Sequence, residues 1–163
     1  MSTKPVLPEG FLDGPGPEVS IERIDFDKAN IQEFKINYAV VLDNVLSAEE
    51  CQTLISGAES TTNGKWERAM VNVGGGMQVM HVDVRNCGRI IWDDIEIAGK
   101  IWARVKDHVP EIHRLENTPS ITGPGPVKRK EAWGVTRLNE RMRFLKYGEN
   151  EYFRSEQKTS RFS

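Results

Sequence analysis

The 163-residue sequence is short of cysteine, of histidine and of long apolar runs, and each shortage argues against a class of protein. Its two cysteines, Cys51 and Cys87, make no C-x-x-C pair and no disulfide framework. A secreted disulfide scaffold is therefore set aside, and a reducing, intracellular and cytoplasmic setting is expected. No apolar stretch approaches the roughly 20 residues needed to cross a bilayer, so no membrane partner is expected. The first ten residues, MSTKPVLPEG, hold no apolar core of a secretory signal. Three histidines, His81, His108 and His113, leave little material for a metal centre. Internal repeats are lacking too. Hydrophobic residues make up only 38% of the chain and charged ones 28%, which leaves room for one domain with a real core.

Charge is unevenly spread. The net value is −2, yet residues 127–163 carry ten Lys and Arg against five Glu, a local +5 that leaves −7 elsewhere. The basic residues interleave with Trp133, Phe144, Tyr147, Tyr152 and Phe153, as a single-strand stacking surface would require. The same spacing fits a buried strand with a solvated face, and no recognition signature is present, so nucleic acid is not expected as a partner.

Residues 1–20 hold four prolines and three glycines with little apolar surface to offset ordering entropy, and are expected to form a flexible leader. Ile24 and Phe26 are spaced like a short strand, and Tyr38–Leu42 reads as a better one. Ser47-Ala-Glu-Glu50 is a capping box that opens a helix, with Cys51, Leu54, Ile55 and Ala58 as its apolar stripe. Cys51 is thus expected to be a buried structural thiol, and Asn63-Gly64 to end the unit. Residues 66–89 read as a long loop or irregular hairpin. Gly74-Gly75-Gly76 within it is no phosphate loop, because no Gly-Lys-Ser/Thr follows. A second helix is expected from about Trp92 to His108, capped by Asp93 or Asp94 and stopped by Pro110. Residues 115–130 read as a connector, and 154–163 as a disordered tail.

The run Leu138–Phe153 organises the chain. Arg143, Leu145 and Tyr147 share one face of a strand, Met142, Phe144 and Lys146 the other, and Gly148 and Asn150 supply a turn. Two motifs bear on chemistry. His81-Val-Asp83 has the H-x-D spacing by which a strand can place two Fe(II) ligands together. Neither His108, at a helix end, nor His113, in a loop, has the setting of a third ligand, so the motif reads as accidental. Arg85-Asn-Cys-Gly-Arg89 sets a thiol between two guanidiniums. Cys87 reads as a loop cysteine without a role, and Arg85 and Arg89 as the substrate-contacting pair, since planar forks suit carboxylates.

Four stretches together resemble the N-terminal part of a prolyl-4-hydroxylase-like 2-oxoglutarate/Fe(II) dioxygenase. They are Val40–Ser47 leading into Glu49-Glu50-Cys51, Arg85–Arg89 leading into Trp92-Asp93-Asp94, Leu138–Arg141, and Arg143–Gly148, all in the family's order between about Tyr38 and Phe153. The resemblance implies an α+β fold, an incomplete double-stranded β-helix (jelly-roll) with an N-terminal helical layer, over residues 21–153. It also implies that Tyr147 matches a 2-oxoglutarate contact. The family's iron-binding H-x-D would fall at Glu156 and Lys158, where the chain reads Phe153-Arg-Ser-Glu-Gln-Lys158, and its second turn glycine is Asn150 here. The expectation is therefore a truncated family member with no catalytic residue, no metal ligand and no cofactor of its own, where full-length relatives use Fe2+ and 2-oxoglutarate. Self-association through unpaired strands is expected. A non-catalytic binding or regulatory module is the alternative, and a small nucleic-acid-binding domain a more distant one.

Overall fold

The computed structural model describes Pro5 and residues 7–154, with the side chain of Asn72 left aside. Within them the fold is mixed α and β, with several small antiparallel sheets and four α-helices. The chain divides into two compact units. The first comprises Met1–Leu7, Gln52–Asp93 and Arg141–Ser163, and the second Pro8–Cys51 and Asp94–Glu140. Glu156, Lys158 and the rest of the expected tail beyond Arg154 lie outside the described residues. Among the described residues no helix is long and apolar enough to cross a membrane.

In the second unit, β1 (Ser20–Arg23) pairs antiparallel with β2 (Val40–Asp43). The early strand thus precedes Ile24 and Phe26, whose backbone belongs instead to a turn-rich stretch where the Phe26 ring meets Phe34 at 6.4 Å. Asn44 turns the chain out of β2 at φ +62°, a conformation that asparagine tolerates better than most residues. The capping box then forms as written in the sequence. The Ser47 N–H donates to the Glu50 carboxylate at 2.8 Å, the Glu50 N–H donates to the Ser47 hydroxyl at 3.1 Å, and α1 runs over Ala48–Thr61.

Asp94 caps α2 (Ile95–Val105), its carboxylate accepting the N–H groups of Glu96 and Ile97 at 3.0 Å. Arg104 in the last turn holds Glu50 through two nitrogens at 2.8 and 2.7 Å and donates to the carbonyls of Val45 and Gly14. Lys100 donates to the Phe11 carbonyl and pairs with Asp13, so the Pro- and Gly-rich segment around buried Leu12 is tied along α2. The expected connector holds two short helices, α3 (Pro119–Thr122) and α4 (Pro124–Lys128), each opened by a proline whose missing N–H has no helical acceptor to lose.

The first unit is built on a three-stranded antiparallel sheet of β3 (Glu67–Arg68), β7 (Gly88–Asp93) and β8 (Arg141–Lys146), with β7 in the centre. Trp92 opens no helix. It is a strand residue, and the chain changes period at Asp93-Asp94, where the cap forms. Ile90 and Trp92 are buried on one face of β7, opposite Phe144 and Met142 of β8, with the Trp92 and Phe144 rings stacked at 6.1 Å. Gly57 of α1 lets Trp92 approach, since a Cβ there would stand 3.4 Å from its ring.

That contact also explains the phase of the helix. Leu54, Gly57, Ala58 and Thr61 are its buried side, Ile55 is exposed, and Cys51 is exposed rather than the buried thiol its spacing suggested. Gly64 closes α1 at φ +75°, its N–H donating to the Glu59 carbonyl at 2.8 Å. The glycine-rich stretch is a hairpin of β4 (Val71–Gly74) and β5 (Met77–Val79), with Gly74, Gly75 and Gly76 all at positive φ. β6 (Arg85–Asn86) pairs with β9 (Tyr152–Phe153).

Candidate functional site

Successive side chains alternate across a strand, so the face of β7 opposite Ile90 and Trp92 carries Arg89, Ile91 and Asp93. Across from them on β8 stand Leu145, Arg143 and Arg141. One residue before β7 and one after β8, the row is extended by Cys87 and Tyr147. The Tyr147 hydroxyl faces the Cys87 side chain, which is the main reason its proton is held more tightly than in a free phenol. Burial and the Cys87 charge act in the same direction, and Arg85 acts against them. Cys87 is 0% exposed, so it is a core thiol in contact with the candidate site and not a loop cysteine.

Arg85 is placed by β6. Its guanidinium lies 4.7 Å from the centre of the Phe153 ring, its backbone neighbour across the sheet, while its Nε is buried without a hydrogen-bond partner. The turn that brings β9 back to β6 is Gly148–Glu151. The Glu151 N–H donates to the Gly148 carbonyl at 3.1 Å, and the Gly148 N–H donates to the Glu151 carboxylate at 2.8 Å. The Gly148 N–H, and then Arg68, which pairs with the same carboxylate, hold Glu151 below the usual carboxylate range. Asn150 takes φ +63° in this turn. Asparagine is a residue that visits the left-handed region at little cost, so it can stand where the resembling family has glycine.

Arg89 differs from every other arginine on this face. Its side chain is 5% exposed, yet its nearest carboxylate, Glu67, is 4.0 Å away and mostly in solvent. One nitrogen, Nη1, donates to the Gln78 side-chain oxygen at 3.1 Å, and Nε is buried with no partner. Burying a guanidinium against a neutral amide leaves much of its lost hydration unreplaced. On the opposite face lies a cleft of about 410 Å³ beside Trp66, Arg68, Gly88 and Lys146. Its wall is Trp66, fixed by a 2.9 Å bond from its indole N–H to Glu59, with the Lys146 ammonium 5.5 Å from the ring centre.

Of the residues singled out in the sequence, Tyr147 and Arg85 are thus brought together, joined by Cys87, and Arg89 lies further along the same strand under Gln78. Gln78 was not legible as a site residue, because nothing in a polar, glycine-rich hairpin marks which side chain folds back. Phe153 was legible only as an aromatic after a turn.

The positions at which the resemblance places the iron-binding H-x-D, Glu156 and Lys158, lie outside the described residues. His81 and Asp83 are exposed and sit in a turn, with the His81 carbonyl accepting the N–H groups of Val84 and Arg85. In a turn, i and i+2 do not share a face as they would in a strand. His113 packs edge-on against Trp102 at 6.2 Å, and His108 ends a short 3₁₀ segment. Among the described residues no group of three or more His, Cys, Asp or Glu is disposed to hold a metal ion. Comparison of the chain with protein-family models, with curated proteins and with solved structures finds no match.

Proposed function

We infer that this chain carries the early strands of a prolyl-hydroxylase-like 2-oxoglutarate/Fe(II) dioxygenase fold, an incomplete double-stranded β-helix, and that as it stands it recognises a ligand without oxidising one. The observation that carries the reading is register. Two stretches that resemble the family, Arg85–Arg89 and Arg143–Gly148, are more than fifty residues apart in sequence and lie side by side, Gly88 opposite Lys146 and Arg89 opposite Leu145. A third meets the same strand, since Arg141 holds Asp93 through two parallel bonds of 2.9 and 2.8 Å.

In the family, Fe(II) and 2-oxoglutarate activate oxygen. Among the described residues no donor set fits the iron, so no oxidative step is assigned here. What remains is recognition. Tyr147 offers a hydroxyl, and Arg85 and Arg89 offer guanidiniums, on a face whose apolar members Leu145, Tyr147 and Phe153 are 41%, 46% and 56% exposed. That open face is also where a second copy would associate. Arg141, Arg143 and Lys146 on edge strand β8 oppose such pairing by like charge.

The test is direct. Purified chain given Fe(II) and 2-oxoglutarate should bind no stoichiometric iron at micromolar concentration and form no succinate. One equivalent of Fe(II), lost on His81→Ala, would overturn the non-catalytic reading. Cross-strand backbone NOEs that fail to place Gly88 opposite Lys146 and Arg89 opposite Leu145 would overturn the family reading.

A further inference from the structure

Three arginines of this chain grip carboxylates by the Nε and Nη2 edge, whereas Arg104 grips Glu50 with Nη1 and Nη2 and leaves its own Nε buried without a partner. Arg141 grips Asp93 with Nε and Nη2, and Arg129 grips Glu131 with the same two atoms at 2.5 and 3.0 Å. Arg23 uses that edge on Glu111. These three pairs are largely exposed, where such a bond gains little. In Arg89 the same edge is buried and empty: Nε has no partner, and Nη2 has only Glu67 at 4.0 Å, beyond hydrogen-bond reach. The most buried of these guanidiniums is thus the one whose counterion, Glu67, lies at the longest distance.

We propose that Arg89 is a binding site for a single carboxylate, reached when the β4–β5 hairpin lifts Gln78 from it. The Gln78 oxygen accepts from Nη1, the nitrogen outside that edge, and ties the hairpin to the guanidinium. The hairpin is exposed over residues 73–79, and its three tip glycines have open space where a Cβ would be. A carboxylate, and not a phosphate, is the fitting occupant. The face around Arg89 is apolar at Leu145 and Ile91, and one guanidinium edge matches one negative charge and two coplanar oxygens. Binding adds a charge-assisted pair at Nε and Nη2 and gives the buried Nε–H its missing acceptor. The proposal stands on the buried guanidinium and needs no iron, so it can fail while the family reading holds, and the reverse.

The experiment uses the full chain labelled with 15N and titrated with acetate, against chloride at equal ionic strength and against inorganic phosphate. The Arg89 Nε–H and the Gln78 side-chain amide should shift together along one saturating curve. Gln78→Ala should tighten acetate binding about tenfold by removing the bond that ties the hairpin to Arg89. Arg89→Lys, which keeps the charge and loses the fork, should weaken it at least as much. The proposal is overturned if the Arg89 Nε–H does not respond to acetate, responds equally to chloride, or if Arg89→Lys binds as well as the parent. Phosphate binding more tightly than acetate would overturn the carboxylate assignment. Acetate binding that appears only in Glu67→Gln would show that the chain's own Glu67 fills the edge in solution, and would also sink it.

Discussion

The two units are held by different forces. In the unit containing α2 the buried apolar residues, Leu12, Ile97, Ala98, Val109 and Leu115, come from several separate segments of the chain. The chain is tied instead by charged side chains that grip backbone and carboxylates: Arg104 on Glu50, Lys100 on Asp13, and Arg23 with Tyr38 on Glu111. In the sheet unit the order is reversed. Ile90, Trp92, Cys87, Ala58 and Leu54 form the apolar layer, and the buried charge, Arg89, lacks a matching carboxylate. The difference teaches where to look for function. A charge that is paired, as Arg104 is, explains itself by the structure it holds, whereas a buried charge left open does not.

The comparison breaks most readily at Trp92. If the sheet unit depends on its apolar layer, Trp92→Ala removes the ring that stacks on Phe144 and fills the space over Gly57, at a cost of about 3–5 kcal/mol. Against a whole-domain stability of about 5–15 kcal/mol, that is enough to melt the sheet at moderate temperature. Amide exchange followed residue by residue should show protection lost across β7 and β8 and retained in α2. Loss of both together would show that the units do not unfold separately.

The α2 unit should answer to pH instead. Arg104 beside it, then the Ser47 N–H, hold the Glu50 carboxyl down to about 2, against an ordinary 4.5. A carboxylate with a depressed folded pKa adds stability that is fully present above the unfolded value and is lost as pH falls from about 4.5 to 2. The shift is worth on the order of 3 kcal/mol at neutral pH. It is a pairing 9% exposed on the Arg104 side and 22% on the Glu50 side, so screening removes only part of it. Acid titration of the parent and of Glu50→Gln should therefore converge near pH 2 and separate above pH 4.5, by far-UV circular dichroism of thermal melts. Parallel curves across that window would remove the ionic account of this unit.

What could be read from the sequence was local. The capping box at Ser47, the Asp94 cap, the Asn63-Gly64 helix stop and the alternation of residues 142–147 are each set within a few residues, and each appears as written. What could not be read depends on partners far along the chain. Trp92 suits a helix stripe or a strand equally well until Phe144 stacks on it. The hidden charge of Arg89 exists because Gln78 folds onto it from a hairpin whose residues have no periodicity. The H-x-D, read as accidental, shows the same dependence: only a strand would bring its two side chains to one face, and the backbone there turns. The family resemblance drew attention to Arg85, Arg89 and Tyr147, with no sign that Cys87 would join them.

The smallest expected effect is at the two cysteines, and it sharpens the comparison because one lies in each unit. Apolar spacing puts Cys51 on the buried stripe of α1. In the structure the stripe is rotated toward Gly57 and Ala58, which leaves the Cys51 sulfur exposed, while Cys87 is fully enclosed beside Tyr147. A thiol reagent needs access, so Cys51 should react within the mixing time of a mild disulfide reagent, and Cys87 only at the rate at which the sheet opens. Cys51→Ser should abolish the fast phase and change stability by less than about 0.5 kcal/mol, as expected for a surface position. The slow phase should quicken in Trp92→Ala and stay unchanged in Glu50→Gln, since only the first loosens the layer that covers Cys87. A slow phase that quickens equally in both variants would mean that the sheet leans on the ion pairs of the other unit, and the two units could no longer be said to be held by different forces.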